Sequence, residues 1–193
     1  MNTEHKYIRR DEGTNGRKYR YWYENAKGRA SPDTTGATQA DETTYADQVS
    51  AEGADGNEHV VVYDDDGNVL LSKGGKKDAV DYTPDEQKLL YGASLIHNHP
   101  SEASISGGDL ASAQRFGMKS VSVVTSKYIY TVTPESGGAF SKDSGNGQQI
   151  WDEEQSNAIA KQRGRDWNWP DLSHQVMEKV AARMHLRYTR RAR

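Results

Sequence analysis

The sequence predicts one α/β domain with polar extensions, and three observations support this. Short β-branched runs typical of strands alternate along the chain with segments that begin with helix-capping signals. The length of 193 residues is sufficient for one domain with a substantial core. A hydrophobic share of 34% and a mean hydropathy of -0.97 indicate that much of the chain is surface or loop.

A hairpin is predicted at the start of this domain. His59–Tyr63 is β-branched, residues 64–68 have turn composition, and residues 69–71 resume a strand pattern. The acidic turn is similar to half of a calcium-binding loop, but no glutamate follows at the required distance, so a hairpin turn is favoured. Glu58 is therefore predicted at the head of a strand.

Capping signals predict one helix on each side of a buried strand. Thr83 is an N-cap, followed by a proline and by an acid three residues later, so a short helix is expected through about Tyr91. Residues 93–96 are apolar and predict a buried strand that delivers His97 at its end. Residues 106–109 have a similar capping pattern and predict a helix to about Phe116.

The second half of the domain is predicted to add two strands and two helices. The strands are expected at residues 120–125 and 128–133, before a Gly/Ser-rich loop at 134–147. Helices are expected at 151–161 and at 172–186, the latter with Asp171 as its N-cap. Apolar residues recur every four positions in the last helix and predict a core-facing stripe: Leu172, Val176, Val180 and Met184.

The two ends of the chain differ in composition from the domain, which is expected at residues 57–186. Residues 1–30 form a basic, aromatic arm in which residues 19–23 have the content of a short strand or a mobile arm. Residues 31–56 are acidic and rich in small polar residues, which predicts a linker or a poorly ordered segment. Residues 187–193 are expected to be a basic tail.

The arm also bears on partners and location. Its aromatic and basic side chains could stack on bases and contact phosphates, although a docking strand for a protein is at least as consistent, so nucleic acid is a minor alternative. No run of about 18 apolar residues and no secretory signal is visible. We therefore expect no membrane partner and a cytoplasmic location.

His97 and His99 are the candidate metal ligands. Side chains at i and i+2 of an extended strand project to the same side, so the two imidazoles can converge on one ion. Asp109, in the first turn of the following helix, is the candidate third ligand. The chain has no cysteine, which excludes thiolate sites, and two imidazoles with one carboxylate leave a fourth zinc position open for water.

Glu58 is the candidate general base, because its strand is expected to pair beside the strand that carries His97. Glu52 and Glu102 are its rivals. Ser106 is assigned two compatible roles, a donor to the oxyanion of the reaction and a helix cap.

The other four histidines are not expected to bind metal. His5 lies in the arm, and His59 alternates away from Glu58. His174 and His185 are predicted to face solvent.

The pattern of an early strand glutamate, then His97-Asn98-His99-Pro100, then Ser106-x-x-Asp109 resembles the JAMM (JAB) metalloprotease superfamily, most closely its RadC-type and phage-type branches. The resemblance covers residues 57–133, with a His99-to-Ser106 loop one residue shorter than usual. It implies a mixed sheet flanked by helices in a cytidine-deaminase-like arrangement, bound zinc, and hydrolysis of peptide or isopeptide bonds, including those of ubiquitin-like conjugates.

The leading expectation is therefore a zinc-dependent peptidase or isopeptidase. One alternative is a non-catalytic, zinc-containing interaction module of a phage or prophage protein, which would place it in the host cytoplasm or the phage particle. The other is a RadC-like protein associated with nucleic acid through its basic arms.

Overall fold

The computed structural model describes residues 39–162 and 166–193, which form a six-stranded sheet with helices on both faces. The expected α/β class with a mixed sheet flanked by helices is confirmed. The elements follow the order α1 (Gln39–Glu52), β1 (His59–Tyr63), β2 (Val69–Gly74), α2 (Pro84–Leu89), β3 (Ser94–Asn98), α3 (Gly107–Phe116), β4 (Ser120–Val124), β5 (Tyr128–Pro134), α4 (Gly147–Lys161), α5 (Trp169–Met184) and β6 (Leu186–Ala192).

The strands are ordered β2-β1-β3-β4-β5-β6 across the sheet. Strands β3 and β4 run parallel, joined by α3, and the other neighbouring pairs are antiparallel. As predicted, β1 pairs beside β3, with Val60 opposite His97. Continuing that register past the end of the strand sets Glu58 beside His99.

Alternation along the strands divides the core into two layers. On one face, Val60, Val62 and Leu95 pack with α3, α4 and α5. On the other face, Val61 and Ile96 pack with α1. His97 and His99 share the parity of Leu95 and so project towards α3, whereas Asn98 projects towards α1.

The expectation of a linker at residues 31–56 is wrong for the part that the structure describes, because α1 occupies Gln39–Glu52. Its Ala46 and Val49 are fully buried against the sheet. The Glu42 carboxylate accepts hydrogen bonds from hydroxyls on β4 and β5 and pairs with Arg191 at 3.0 Å. The helix has few large apolar residues of its own, so these contacts with the sheet stabilise it.

The basic tail expected at residues 187–193 is instead strand β6, which pairs with β5 from Leu186 to Ala192. The reversal at its start uses His185, which has a φ of 53° and ends α5. Arg191 and Arg193 bind Glu42 and Asp47 of α1. The basic residues from which a tail was predicted therefore join β6 to α1.

Two of the three predicted helix N-caps are confirmed, and the third is wrong. The capping boxes at Thr83 and Ser106 are present, as predicted. Asn168 rather than Asp171 caps α5, because its side chain accepts from the Asp171 N–H at 2.9 Å. His174 does not face solvent as predicted, since its Nδ1 lies 2.9 Å from the Tyr188 hydroxyl and only 14% of its side chain is exposed.

Some predictions lie outside the described residues: the basic arm at 1–30, its strand-like segment at 19–23, His5, and residues 31–38 of the expected linker. Within the described ranges, no helix has the length and apolar content that a membrane crossing requires.

Candidate metal centre

Two histidines and an aspartate converge at the end of β3. His97 and His99 lie on one face of the strand and are 4% and 7% exposed, and α3 brings Asp109 to them from its first turn. The Nε2 atoms of the two histidines are 2.9 Å apart. Asp109 Oδ1 lies 3.2 Å from His97 Nε2, and Oδ2 lies 3.5 Å from His99 Nε2.

These three residues can hold a metal ion. Two ligands of a tetrahedral zinc ion, each about 2.1 Å from it, stand about 3.4 Å apart. The two histidine nitrogens lie within about 0.5 Å of that separation, and each of them has a different oxygen of Asp109 close to the same distance. The ion also suits the chemistry of the cluster, since two imidazoles within hydrogen-bond distance of each other compete for one proton. In the described part of the chain, no second group of this kind is present.

The rest of the fold fixes the orientation of His99. Its Nδ1 lies 3.1 Å from the Ala103 carbonyl oxygen, which can only accept, so Nδ1 carries the proton and Nε2 presents its lone pair to the cluster. The following residue, Ser104, donates its N–H to the Ser173 hydroxyl at 3.0 Å, which ties this loop to α5. His97 Nδ1 is buried against the Ser122 backbone without a hydrogen bond of normal geometry.

Ser106 orients Asp109. Its backbone N–H and its hydroxyl each donate to Asp109 Oδ2 at 2.7 Å, while the Asp109 N–H donates back to the hydroxyl at 3.2 Å. The capping box therefore leaves Oδ1 turned to His97. The loop between His99 and Ser106 thus brings Asp109 to both histidines.

Glu58 sits beside this cluster without entering it. Its Oε1 is 3.8 Å from His99 Nε2, beyond hydrogen-bond distance, and 12% of its side chain is exposed. Its backbone is held by the segment after β2, because Glu58 N–H donates to the Lys76 carbonyl and Gly75 N–H donates to the Glu58 carbonyl.

Burial and neighbouring charges shift the pKa values of the titratable groups of the site in different directions. Burial raises the pKa of Glu58 to about 7, with Asp109 adding to the rise and His97 opposing it. Burial lowers the pKa of His99, with His97 adding to the fall. Burial alone would lower the pKa of His97 and raise that of Asp109, but their mutual attraction reverses both directions. Glu58 is thus able to exchange a proton near neutral pH.

The rival bases are occupied elsewhere. Glu102 accepts from the Ser126 N–H and hydroxyl, the latter at 2.7 Å. Glu52 lies 3.5 Å from His59 Nδ1 on the α1 side of the sheet. His185 is exposed, as predicted, and His59 points away from Glu58 towards Asp55. Of the three candidate glutamates, Glu58 is the one at the cluster.

Sequence reasoning missed two residues of this region. Tyr82 packs edge-on against Phe116, and burial, then the charges of Asp109 and Glu58, raise the pKa of its hydroxyl. Asn98 contacts the backbone on both sides of Glu58 from the opposite face of β3. Alternation predicts the face of Asn98, but its contact with a segment some forty residues earlier leaves no local pattern.

Comparisons with protein-family models, with curated proteins and with solved structures gave no significant match. The basis for a functional conclusion is therefore the chemistry of the residues. They form a buried site that can hold a metal ion beside a carboxylate able to exchange a proton.

Proposed function

We propose that this protein is a zinc-dependent peptidase or isopeptidase of the JAMM type. The observation that carries the proposal is the convergence of His97, His99 and Asp109 with Glu58 standing 3.8 Å from His99. A buried cluster with a purely structural role would not need Glu58 beside it, a partly desolvated carboxyl group that exchanges its proton near neutral pH.

Zinc is the metal that we assign to the site. Two nitrogen ligands and one carboxylate oxygen suit zinc, whereas calcium and magnesium prefer sites made of oxygen atoms. Three protein ligands also leave a coordination position free, as catalytic zinc sites do.

The bound ion would act as a Lewis acid towards water and the substrate carbonyl. The protein's own residues supply the remaining functions. Glu58 accepts the proton of the attacking water and returns it to the leaving nitrogen, so the peptide or isopeptide bond breaks to an amine and a carboxylate. Ser106 keeps Asp109 oriented, and its hydroxyl would donate to the oxyanion on exchanging its hydrogen bond to Asp109.

The substrate class rests on the resemblance of the motif to the JAMM superfamily. We propose a protein or peptide substrate, which includes isopeptide-linked, ubiquitin-like conjugates. The nucleic-acid alternative has less support, because Arg191 and Arg193 bind the carboxylates of α1.

The test combines metal content with hydrolysis. Protein purified without chelator should contain about one zinc per chain, and it should cleave a member of a panel of ubiquitin-like isopeptide conjugates and unstructured peptides. Glu58→Gln should keep the zinc and lose about 10²- to 10⁴-fold in rate, because an amide cannot accept the proton. The matched control is Glu135→Gln, an exposed glutamate on the turn after β5.

Each contrary result has a distinct meaning. Absence of zinc above background would overturn the metal assignment. Equal rates for Glu58→Gln and wild type would overturn the assignment of the base. Full zinc occupancy with no cleavage across the panel would support the alternative, a zinc-containing interaction module of a phage or prophage protein.

A further inference from the structure

Asn98 stands between the two histidine ligands but faces the opposite side of the sheet. It is 7% exposed, and its side-chain amide makes two hydrogen bonds to a distant segment. Its Oδ1 accepts from the His59 N–H at 2.6 Å, and its Nδ2 donates to the Asn57 carbonyl at 2.9 Å. These two residues are the neighbours of Glu58 in the chain.

The Glu58 backbone is thereby held from both sides within the sheet. On the β3 side, Asn98 binds the peptide groups before and after Glu58. On the other side, Glu58 exchanges hydrogen bonds of 2.8 and 2.7 Å with Lys76 and Gly75. Regular pairing between β1 and β3 ends at Val60. The Asn98 amide therefore adds side-chain hydrogen bonds from β3 to the residues that precede the paired part of β1.

The end of α1 is shaped to admit this amide. Gly53 lies so close that a Cβ atom there would stand 2.2 Å from Asn98 Nδ2 and 2.7 Å from its Cγ. Gly53 does not have a positive φ, so its conformation does not require glycine. A side chain at position 53 would therefore collide with the Asn98 amide.

We propose that Asn98 is a positioning residue for Glu58, and that Gly53 keeps the Asn98 amide in place. The inference rests on the proposed function, in which Glu58 is the general base. An alanine at position 98 would leave the Asn57 carbonyl and the His59 N–H without these partners. The carboxylate would then sample positions away from the cluster, and small misplacements of a reacting group are costly in rate.

The first measurement detects the contact and needs no substrate. Amide hydrogen exchange of His59 is followed in full-length wild type and in Asn98→Ala, each with zinc and with chelator. The expected result is exchange at least about tenfold faster at His59 in the variant, with Val61 and Val62 unchanged because the β1 ladder holds them. Unchanged exchange at His59 would overturn the contact.

The second measurement separates positioning from folding and metal binding. Asn98→Ala should lower kcat by about 10- to 100-fold, while KM and zinc affinity stay within about twofold of wild type. A merely structural role would change the stability and the zinc affinity instead. A kcat equal to that of wild type, with His59 exchange raised, would overturn the positioning role.

Gly53→Ala provides an independent variant on the far side of the sheet from the metal ligands. Its methyl group displaces the Asn98 amide, so kcat should fall towards the Asn98→Ala value. In the Asn98→Ala background the same methyl meets an empty space, so Gly53→Ala should cause no further loss. The matched control is Ala54→Ser, an exposed position in the same turn, which should leave kcat unchanged.

Additive losses in the double variant would contradict the coupling between Gly53 and Asn98. If wild type cleaves nothing, the proposed function fails, but the exchange measurements still decide whether Asn98 fixes the Glu58 segment. The two failures are therefore distinguishable.

Discussion

Removal of the Glu58 charge should stabilise the metal-free protein at alkaline pH. Burial raises the pKa of Glu58 from 4.5 to about 7, so the folded state holds a proton that the unfolded state has lost over this range. The unfolded chain binds fewer protons there, which means that the free energy of unfolding falls as the pH rises from about 4.5 to about 7. Above that range the penalty is complete, and Glu58→Gln abolishes it.

The size of the effect follows from the two pKa values. At about 1.4 kcal/mol per pKa unit, the full penalty has an upper bound of about 3.5 kcal/mol. Roughly 1 kcal/mol of it is already present at pH of about 5. The stabilisation by Glu58→Gln should therefore be larger at a pH of about 8 than at a pH of about 5, by up to about 2.5 kcal/mol. The cost of burying the amide is the same at both pH values and cancels from this difference.

Urea denaturation with chelator present measures this difference for Glu58→Gln and wild type. The control is Glu135→Gln, which makes the same change at an exposed glutamate on the turn after β5. If the two pH values give the same stabilisation for Glu58→Gln, or if the variant is relatively less stable at the higher pH, then Glu58 is not a desolvated carboxyl and its proposed role loses its physical basis.

Four further results are expected at the cluster. His97→Ala should abolish zinc retention in elemental analysis, and Asp109→Asn should weaken it as well as any hydrolysis, because a neutral amide replaces an anionic ligand. The zinc affinity of wild type, measured by calorimetric titration, should fall as the pH drops through the pKa of His97, because a proton then competes with zinc for Nε2. Burial lowers the pKa of His97, but the charge of Asp109 outweighs this effect and raises the pKa overall. An affinity independent of pH would exclude the neutral imidazole of His97 as a ligand. Ser106→Ala should cost about 1 kcal/mol in thermal or urea unfolding through the lost cap, and a lowering of zinc affinity beside it would show that the hydroxyl also orients Asp109.

The sequence by itself determined the features that depend on neighbours in the chain. The capping box at Ser106 is a four-residue pattern, so its helix and the position of Asp109 could be predicted. The period of two in a strand set His97 and His99 on one face, because alternation is a property of the extended backbone. The chemistry of the candidate centre was visible for the same reason.

Only the tertiary structure decided the features that depend on distant partners. Helix α1 has a polar composition, and it is stabilised by contacts such as that of Glu42 with Arg191, 149 positions away. Residues 187–193 form a strand that their basic composition does not predict, because pairing with β5 depends on the partner strand and not on local pattern. The grip of Asn98 on the Glu58 segment spans 39 and 41 positions, and a hydrogen bond over such a separation leaves no periodicity in the sequence from which it could be predicted.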